Sequence, residues 1–266
     1  MLKILVCVKQ VPDVDLVKMD PETGNLVRDG VPTLTNPLDT NALEAALRMK
    51  EKYGGEVTVI TMGPPMAEST LRECVAVGAD KSILVSGRPF GGADTLSTSY
   101  AIEMAARAAD KYDLIFAGKE SLDGATGQMG AQLAQRFNAA QITGCLLIED
   151  IDEANGKITA LREMENGVMR VEATMPCLLT MEKTNYPARL PNLKGKMAAK
   201  KATINVVTEN DIPGLDMTKI GAVGSGTIVP KIYPPELPEP GQIINEGSLD
   251  ASVDKVIELM TAKGVI

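Results

Sequence analysis

The chain has 266 residues, and because 44% of them are hydrophobic it can build a substantial core. Only 3% are aromatic, none is Trp, and the formal net charge is −8, which argues against a nucleic-acid partner. The absence of His excludes Ser-His-Asp and Cys-His catalysis and His-ligated metals. We therefore expect no catalytic side chain and no metal site, and a bound cofactor to carry any reaction.

No apolar run approaches the ~18 residues of a membrane span, so we expect no membrane span. The N-terminal apolar run is followed at once by Lys9 and Pro12 and lacks a small-residue cleavage site. We interpret it as the first strand of a cytoplasmic protein. The cysteines are far apart and form no C-x-x-C pair, so they are predicted to be small core residues.

Apolar runs alternate with helical periodicity through the first 150 residues. Asn41 and Glu44 fit a capping box that would open the first helix. The alternation predicts an α/β fold with a doubly wound, mainly parallel sheet and helices on both faces. Buried strands are predicted at 3–8, 56–62, 81–85, 114–117 and 141–148. Between the first strand and first helix, 24–27 and 31–34 suit a small hairpin or an extended flap.

The pattern changes after Ile148. Residues 157–163 and 168–173 alternate around Asn166-Gly167, which predicts an antiparallel hairpin. Residues 176–181 form another buried run. We expect these strands to extend the sheet antiparallel, and 202–207 to form a last strand.

The C-terminal part is rich in Gly and Pro from 213 to 247 and ends in an amphipathic helix over 248–263. An apolar helical stripe needs burial, so we interpret 208–266 as an extended arm that contacts a partner subunit. Residues 1–207 would then form the nucleotide-binding domain. The alternative is a disordered linker that ends in a frayed helix.

The stretch from Asp113 to Phe137 carries the clearest functional signal. A buried strand ends at Gly118, a polar loop follows, and a helix begins near Met129. Strand, glycine-containing turn and helix is the arrangement in which free N–H groups meet a ligand phosphate. The plainer interpretation is a turn at Asp123-Gly124 and a helix cap at Thr126. This stretch alone leaves the two interpretations even.

The segments that follow four of the predicted strands supply the additional evidence. They begin at Lys9, Met62, Ser86 and Gly118, and all contain Gly, Pro, Asn, Asp, Ser or Thr. Because ligands bind beyond the carboxyl ends of parallel strands, their convergence favours a nucleotide site. Such loops are usually polar in any protein, which is the competing explanation.

Several short motifs run almost end to end through the chain. They are Val6-Cys7-Val8-Lys9, Asn36-Pro37, Met62-Gly63-Pro64, Asp123-Gly124 with Thr126-Gly127-Gln128-Met129, and Arg189-Leu190-Pro191-Asn192 followed by Lys200-Lys201. In the order and spacing of these motifs, the chain resembles the beta (small) subunit of the electron-transfer flavoproteins.

The resemblance implies a heterodimer with an alpha subunit that carries electrons between dehydrogenases and an acceptor. In simpler members the beta subunit holds AMP, whereas in electron-bifurcating members it holds a second FAD whose adenylate half takes the AMP position. Residues 90–99 resemble the segment that bifurcating members use beside this flavin, and Asp39 differs from the mitochondrial-type residue. The resemblance therefore implies FAD, with AMP as the alternative, and NADH as substrate.

By position, the resemblance also assigns site residues and partners. Leu190 matches the residue that docks on acyl-CoA dehydrogenases, and ferredoxin or flavodoxin would accept the low-potential electron. The cofactor-binding residues implied are Cys7, Asn36, Pro37, Leu38, Asp39, Met62, Asp94, Thr95, Ser97, Thr98, Gly118, Asp123, Gly124, Ala125, Thr126, Gly127 and Gln128. Two alternatives stay open: a non-bifurcating subunit with structural AMP, and a plain adenine-nucleotide sensor that would form a homodimer without flavin.

Overall fold

A computed structural model describes residues 1–13, 18–19, 26–27, 32–183, 187–230 and 241–266. The chain divides into two compact units, Met1–Pro230 and Lys231–Ile266. This division does not test the boundary predicted at residue 207, because that prediction concerned contact with a partner subunit. Residues 208–230 contribute Ile212 and Ile220 to the core of the first unit.

From residue 1 to residue 152 the strands of the main sheet alternate with helices, as the sequence predicts. The strands of the first unit are β1 Leu2–Cys7, β2 Gln10–Pro12, β3 Lys18–Met19, β4 Leu26–Val27, β5 Thr33–Thr35, β6 Gly55–Met62, β7 Lys81–Val85, β8 Leu114–Gly118, β9 Ala140–Asp152, β10 Lys157–Met164, β11 Gly167–Thr174, β12 Cys177–Met181 and β13 Asn205–Val207. Its helices are α1 Pro37–Tyr53, α2 Glu68–Val77, α3 Thr95–Ala109, α4 Met129–Phe137 and α5 Leu193–Lys201. Short 3₁₀ turns occur at Pro65–Ala67, Arg88–Phe90, Glu209–Asp211 and Met217–Lys219.

Among the described residues, nine strands form the main sheet in the order β11-β10-β9-β12-β8-β1-β6-β7-β13. The pairs from β9 through β12, β8, β1, β6 and β7 to β13 are parallel, and β9, β10 and β11 pair antiparallel. The predicted α/β fold with an antiparallel extension is confirmed.

One strand lies elsewhere than predicted. β12 does not extend the sheet antiparallel but inserts parallel between β8 and β9. All five of its residues are buried, because both of its edges and both of its faces are covered. The hairpin of β10 and β11 therefore supplies the antiparallel extension together with β9.

Apolar side chains of β1 alternate between two cores, as expected for a sheet covered on both faces. Ile4 and Val6 pack in the core beneath α1 and α2, whereas Leu5 and Cys7 pack in the core beneath α3 and α4. The carboxyl ends of the parallel strands therefore emerge at one sheet edge between two helical layers.

The predicted capping box at Asn41 and Glu44 is wrong. Helix α1 begins at Pro37, with Asn36 as the residue before it, so Asn41 and Glu44 lie within the helix. Proline is well suited to a first helical turn because its fixed φ is helical and its missing N–H has no intrahelical acceptor there.

Two small antiparallel pairs lie between β1 and α1. β2 pairs with β5, and β3 pairs with β4, so the predicted pairing of 24–27 with 31–34 is wrong for Leu26–Val27. The rest of that predicted hairpin or flap falls partly on residues 24–25 and 31, outside the described part of the chain.

In the second unit, residues Leu249–Ala262 form helix α6, which Ser248 caps by accepting the N–H of Ala251. Its apolar residues Val253, Val256 and Ile257 are exposed within the described chain. Across the described residues, no helix combines the length and the hydropathy that a membrane crossing requires.

Candidate functional site

A cavity of about 480 Å³ opens beyond the carboxyl ends of β1 and β8, within the usual range for small-molecule sites. It extends from the loop after β8 to the N-terminus of α3. Its wall comprises Cys7, Val8, Lys9, Asn36, Asp39, Met62, Phe90, Gly92, Ala93, Asp94, Thr95, Thr98, Ile102, Ala117, Gly118, Lys119, Glu120, Ser121, Gly124, Thr126, Gly127, Gln128, Met129, Leu133 and Thr227.

The N-terminus of α4 reaches this cavity through Gln128 and Met129. Among the described residues no side chain caps it, so its first N–H groups remain available to a ligand. The loop before it is tightly turned, since Ala125 and Gly127 have φ values of 45° and 61°. Free helix N–H groups and the positive helix end suit a phosphate group.

The side chain of Asn36 fixes the loop that precedes α4. Its Nδ2 donates to the Glu120 carbonyl at 2.9 Å, and its Oδ1 accepts the Leu122 N–H at 3.0 Å. Only 1% of Asn36 is exposed. Asn36 therefore satisfies two main-chain groups of the loop over residues 119–128 and holds its shape. We call this loop the phosphate loop, because the sequence predicts that it binds a phosphate.

Asp39 joins the ends of the two central strands. Its Oδ2 accepts the Lys9 N–H at 2.8 Å and its Oδ1 accepts the Gly118 N–H at 2.9 Å. Burial raises the pKa of Asp39 to about 7, although these N–H groups and Asn36 favour the ionised form. A buried carboxyl at the cavity wall thus titrates near neutral pH.

Lys9 connects the end of β1 with the loop after β8. Its Nζ donates to both oxygens of Asp123, at 2.7 and 2.8 Å. Burial raises the pKa of Asp123, but the Lys9 and Ser121 hydrogen bonds outweigh it and leave the pKa below its usual range. Burial raises the pKa of the Cys7 thiol to about 12, so that thiol stays neutral beside the cavity.

At the other end of the cavity, Asp94 caps α3 and also binds a distant segment. Its Oδ1 accepts the Ser97 N–H, whereas its Oδ2 accepts the N–H groups of Gly226 and Thr227 at 2.8 and 3.0 Å. The Ser225 hydroxyl accepts the Asp94 N–H at 2.8 Å. Asp94 therefore fixes residues 225–227 and holds Thr227 at the cavity wall.

The N-termini of α3 and α4 are joined by side chains. Thr95 Oγ1 donates to Gln128 Oε1 at 2.9 Å and accepts from Gln132 Nε2 at 3.2 Å. These bonds hold the two helix ends side by side, so the phosphate loop and the α3 segment share one cavity.

Twelve of the residues that the sequence predicts as cofactor-binding lie on the cavity wall: Cys7, Asn36, Asp39, Met62, Asp94, Thr95, Thr98, Gly118, Gly124, Thr126, Gly127 and Gln128. The others belong to the same elements but do not line it: Pro37, Leu38, Ser97, Asp123 and Ala125. The cofactor-binding roles of both groups of residues stay predictions.

Sequence reasoning placed Lys9 and Phe90 in segments expected at the site but did not name them as cofactor-binding residues, and it did not place Thr227 there at all; all three line the cavity. The position of Lys9 directly after β1 was an available signal. Thr227 offered none, because its link to Asp94 spans 133 positions of the chain.

A second, open groove of about 580 Å³ lies between α1 and β9 and carries Arg48, Glu51, Lys52 and Glu149 among its polar groups. It contains none of the residues predicted for the cofactor and no glycine loop. The glycine-containing loop and the helix N-terminus that predict phosphate binding lie at the smaller cavity instead.

Leu190 lies outside the cavity and is 90% exposed. The residue before it, Arg189, forms ion pairs with Glu44 and Glu51 of α1. The sequence gave no local sign of these ion pairs.

The electron transfer flavoprotein domain model matches residues 23–212, which is most of the chain and includes the phosphate loop. The chain belongs to the electron transfer flavoprotein family. Two beta subunits of that family, from Megasphaera elsdenii and Thermoanaerobacterium thermosaccharolyticum, are 40% and 38% identical over the full length of both chains. The match to beta subunits confirms the resemblance drawn from the short motifs.

Another relative is the caffeyl-CoA reductase-Etf complex subunit CarD of Acetobacterium woodii, 41% identical over the full length of both chains. Protein FixA of Azotobacter vinelandii is 42% identical over 87% of this chain and 84% of its own. The electron transfer flavoprotein beta subunit described here thus has relatives that carry several names.

Proposed function

We propose that this chain is the beta subunit of an electron-bifurcating electron transfer flavoprotein and binds FAD non-covalently in the 480 Å³ cavity. It would act in the cytoplasm as a heterodimer with an alpha subunit. One observation carries the proposal: a single cavity joins the uncapped N-terminus of α4 to the N-terminus of α3. A site for adenylate alone would not need the second helix end.

The residues present fit such a cofactor. The N–H groups at the start of α4 suit a phosphate, and the apolar side chains of Met62, Phe90 and Ile102 suit an aromatic ring system. When bound, FAD would supply the redox chemistry, accepting a hydride from NADH and releasing single electrons to ferredoxin or flavodoxin and, through the alpha-subunit FAD, to an acyl-CoA dehydrogenase.

The chain itself would bind and orient. Asn36 and Asp39 fix the loop and the strand ends, while Asp94 and Thr95 fix the opposite wall. Lys9 and Lys119 add positive charge beside the phosphates. No side chain needs to act as an acid or base, which agrees with the absence of His.

The partners are proposed on two grounds. CarD is named as a subunit of a caffeyl-CoA reductase-Etf complex, and by analogy this chain would serve an acyl-CoA dehydrogenase. Leu190 is the proposed docking residue, because a leucine that is 90% exposed suits an apolar pocket of a partner.

A specific observation supports AMP as the alternative. Thr95 and Asp94 at the start of α3 are already engaged with Gln128 and with residues 226–227, whereas the α4 end remains open. In that case the subunit would hold structural AMP at α4 alone and would not react with NADH.

Counting the bound cofactors distinguishes the FAD proposal from the AMP alternative. The purified heterodimer is denatured, and FAD and AMP are quantified by chromatography. Two FAD and no AMP per heterodimer support the proposal. One FAD with one AMP would refute it and establish the non-bifurcating alternative.

A further inference from the structure

The segment that carries the exposed Leu190 side chain is held in place by contacts with helix α1. Residues 187–192, called the docking segment below, have no regular secondary structure, and Leu190 within this segment is 90% exposed. An exposed loop residue usually samples many positions, and ordering it on binding reduces affinity. The contacts that hold this segment therefore decide how well Leu190 can dock.

Arg189 supplies those contacts through both its main chain and its side chain. Glu44 Oε2 accepts a hydrogen bond from the Arg189 main-chain N–H at 3.2 Å and another from Arg189 Nε at 2.8 Å. Arg189 Nη2 donates to Glu44 Oε1 at 3.2 Å and to Glu51 Oε2 at 3.1 Å. One planar guanidinium thus bridges two carboxylates on α1, a geometry that lysine cannot reproduce.

Burial makes this attachment specific. The Glu44 side chain is 2% exposed, and a buried carboxylate is costly unless it is paired. Burial raises its pKa, but the Arg189 and Arg48 hydrogen bonds outweigh that effect and leave the pKa below its usual range. Glu44 therefore stays charged, paired with Arg48 on the same helix and with Arg189 from the distant segment.

Helix α1 is the same element that holds the cavity. Asn36 and Asp39 at its N-terminus fix the phosphate loop and the strand ends, and Glu44 lies about 8 Å further along at 1.5 Å per residue. The docking segment and the loop and strand ends at the cavity are therefore held by the same helix, α1.

We propose that Arg189 is a positioning residue: it ties the docking segment to α1 so that Leu190 is presented in a fixed orientation to an acyl-CoA dehydrogenase. This inference rests on the proposed function. It assigns Arg189 no contact with the dehydrogenase itself.

A double-mutant cycle tests the inference. Butyryl-CoA dehydrogenase reduced by butyryl-CoA serves as the probe, and its rate of reducing the purified heterodimer gives KM and kcat. We expect Arg189→Gln and Leu190→Ala each to raise the KM for the heterodimer about tenfold, the effect of losing an interface anchor, with kcat little changed. The double variant should be no worse than Leu190→Ala, because Arg189 acts only through Leu190.

Fully additive effects on KM would overturn the inference, because Arg189 would then contact the dehydrogenase independently. Arg107→Gln is the matched control, since Arg107 pairs with Glu103 within α3, which packs on the opposite face of the main sheet from α1. It should leave KM unchanged.

Hydrogen exchange of the docking segment separates this inference from the function on which it rests. In Arg189→Gln, peptides covering residues 187–192 should exchange faster than in the wild type, and Arg107→Gln should not change them. Unchanged exchange in Arg189→Gln would overturn the positioning role. A normal KM for Leu190→Ala would instead refute docking through Leu190.

Discussion

Asp39 Oδ1 accepts the main-chain N–H of Gly118 at 2.9 Å, and no side chain fits between them. A Cβ at Gly118 would lie 2.4 Å from Asp39 Oδ1 and 2.8 Å from the Leu38 carbonyl carbon. The start of α1 therefore packs directly on the end of β8, and this contact sets the base of the proposed FAD cavity.

Gly118→Ala should destabilise the protein, because backbone atoms of α1 would have to move away from β8. We expect a loss of about 1–3 kcal/mol in the free energy of unfolding, as for other overpacked sites. Chemical denaturation measures this loss. Gly241→Ala is the control, since a Cβ there meets nothing within 4 Å and should change stability by less than about 0.5 kcal/mol.

Asp39→Asn should show a destabilisation that depends on pH. The pKa of Asp39 is about 7 in the folded protein, against about 3.9 when unfolded, so the stability it contributes is present at low pH and is lost as pH rises through 7. Asparagine does not titrate. Relative to the variant, the wild type should therefore lose about 2–3 kcal/mol between about pH 5 and pH 8. An equal difference at both pH values, measured by denaturation, would contradict the buried titration.

Asp94→Asn should loosen residues 225–227, which carry Thr227 of the cavity wall. Asparagine is a good N-cap, so its oxygen can still serve Ser97, but its amide would face the N–H groups of Gly226 and Thr227. We expect a loss of about 1–3 kcal/mol in stability and faster release of FAD on dilution.

The control for Asp94→Asn is Asp216→Asn, because Asp216 also caps a turn but does not line the cavity. Flavin release at the wild-type rate in Asp94→Asn, with intact capping of α3, would show that residues 225–227 play no part in retaining the cofactor.

Lys9→Met should weaken nucleotide binding more than it weakens the fold. The pair with Asp123 is partly exposed, and such pairs contribute about 0–1 kcal/mol to stability. The loss of a cation from the cavity wall should nevertheless lower FAD affinity several-fold, most clearly at low salt. Lys157→Met removes a comparable exposed pair with Glu172 and serves as the control in the same flavin-binding titration. Equal FAD affinity in the two variants would show that Lys9 does not contribute to cofactor binding.

Local patterns in the sequence predict much of the fold and part of the site. Buried runs such as Leu114–Gly118 and the polar segments after them follow from periodicity, so the shared sheet edge is predictable. The position of β12 between β8 and β9 is not predictable from the sequence. A short apolar run has the same composition whether the strand lies at the edge of a sheet or inside it.

The contacts that hold the docking segment and shape the cavity join residues far apart in the chain. Glu44 fits a capping box by spacing, yet its partner Arg189 lies 145 positions away. Asp94 resembles an ordinary helix cap, yet it also binds Thr227. Side-chain-to-backbone pairs of this kind have no local signal, so only the folded arrangement reveals them.

The central claim, that FAD occupies the cavity at the start of α4, is tested most directly by an anaerobic NADH titration of two matched heterodimers. Gly127 and Gly156 have φ values of +61° and +64°, and a Cβ added at either would meet no atom closer than about 4 Å, so valine imposes the same backbone strain at both. Gly127 lines the cavity, whereas Gly156 lies in the turn before β10. We predict that Gly156→Val keeps both flavins and bleaches with NADH, while Gly127→Val retains only the alpha-subunit flavin and fails to bleach. Full flavin content and normal bleaching in Gly127→Val would contradict the account.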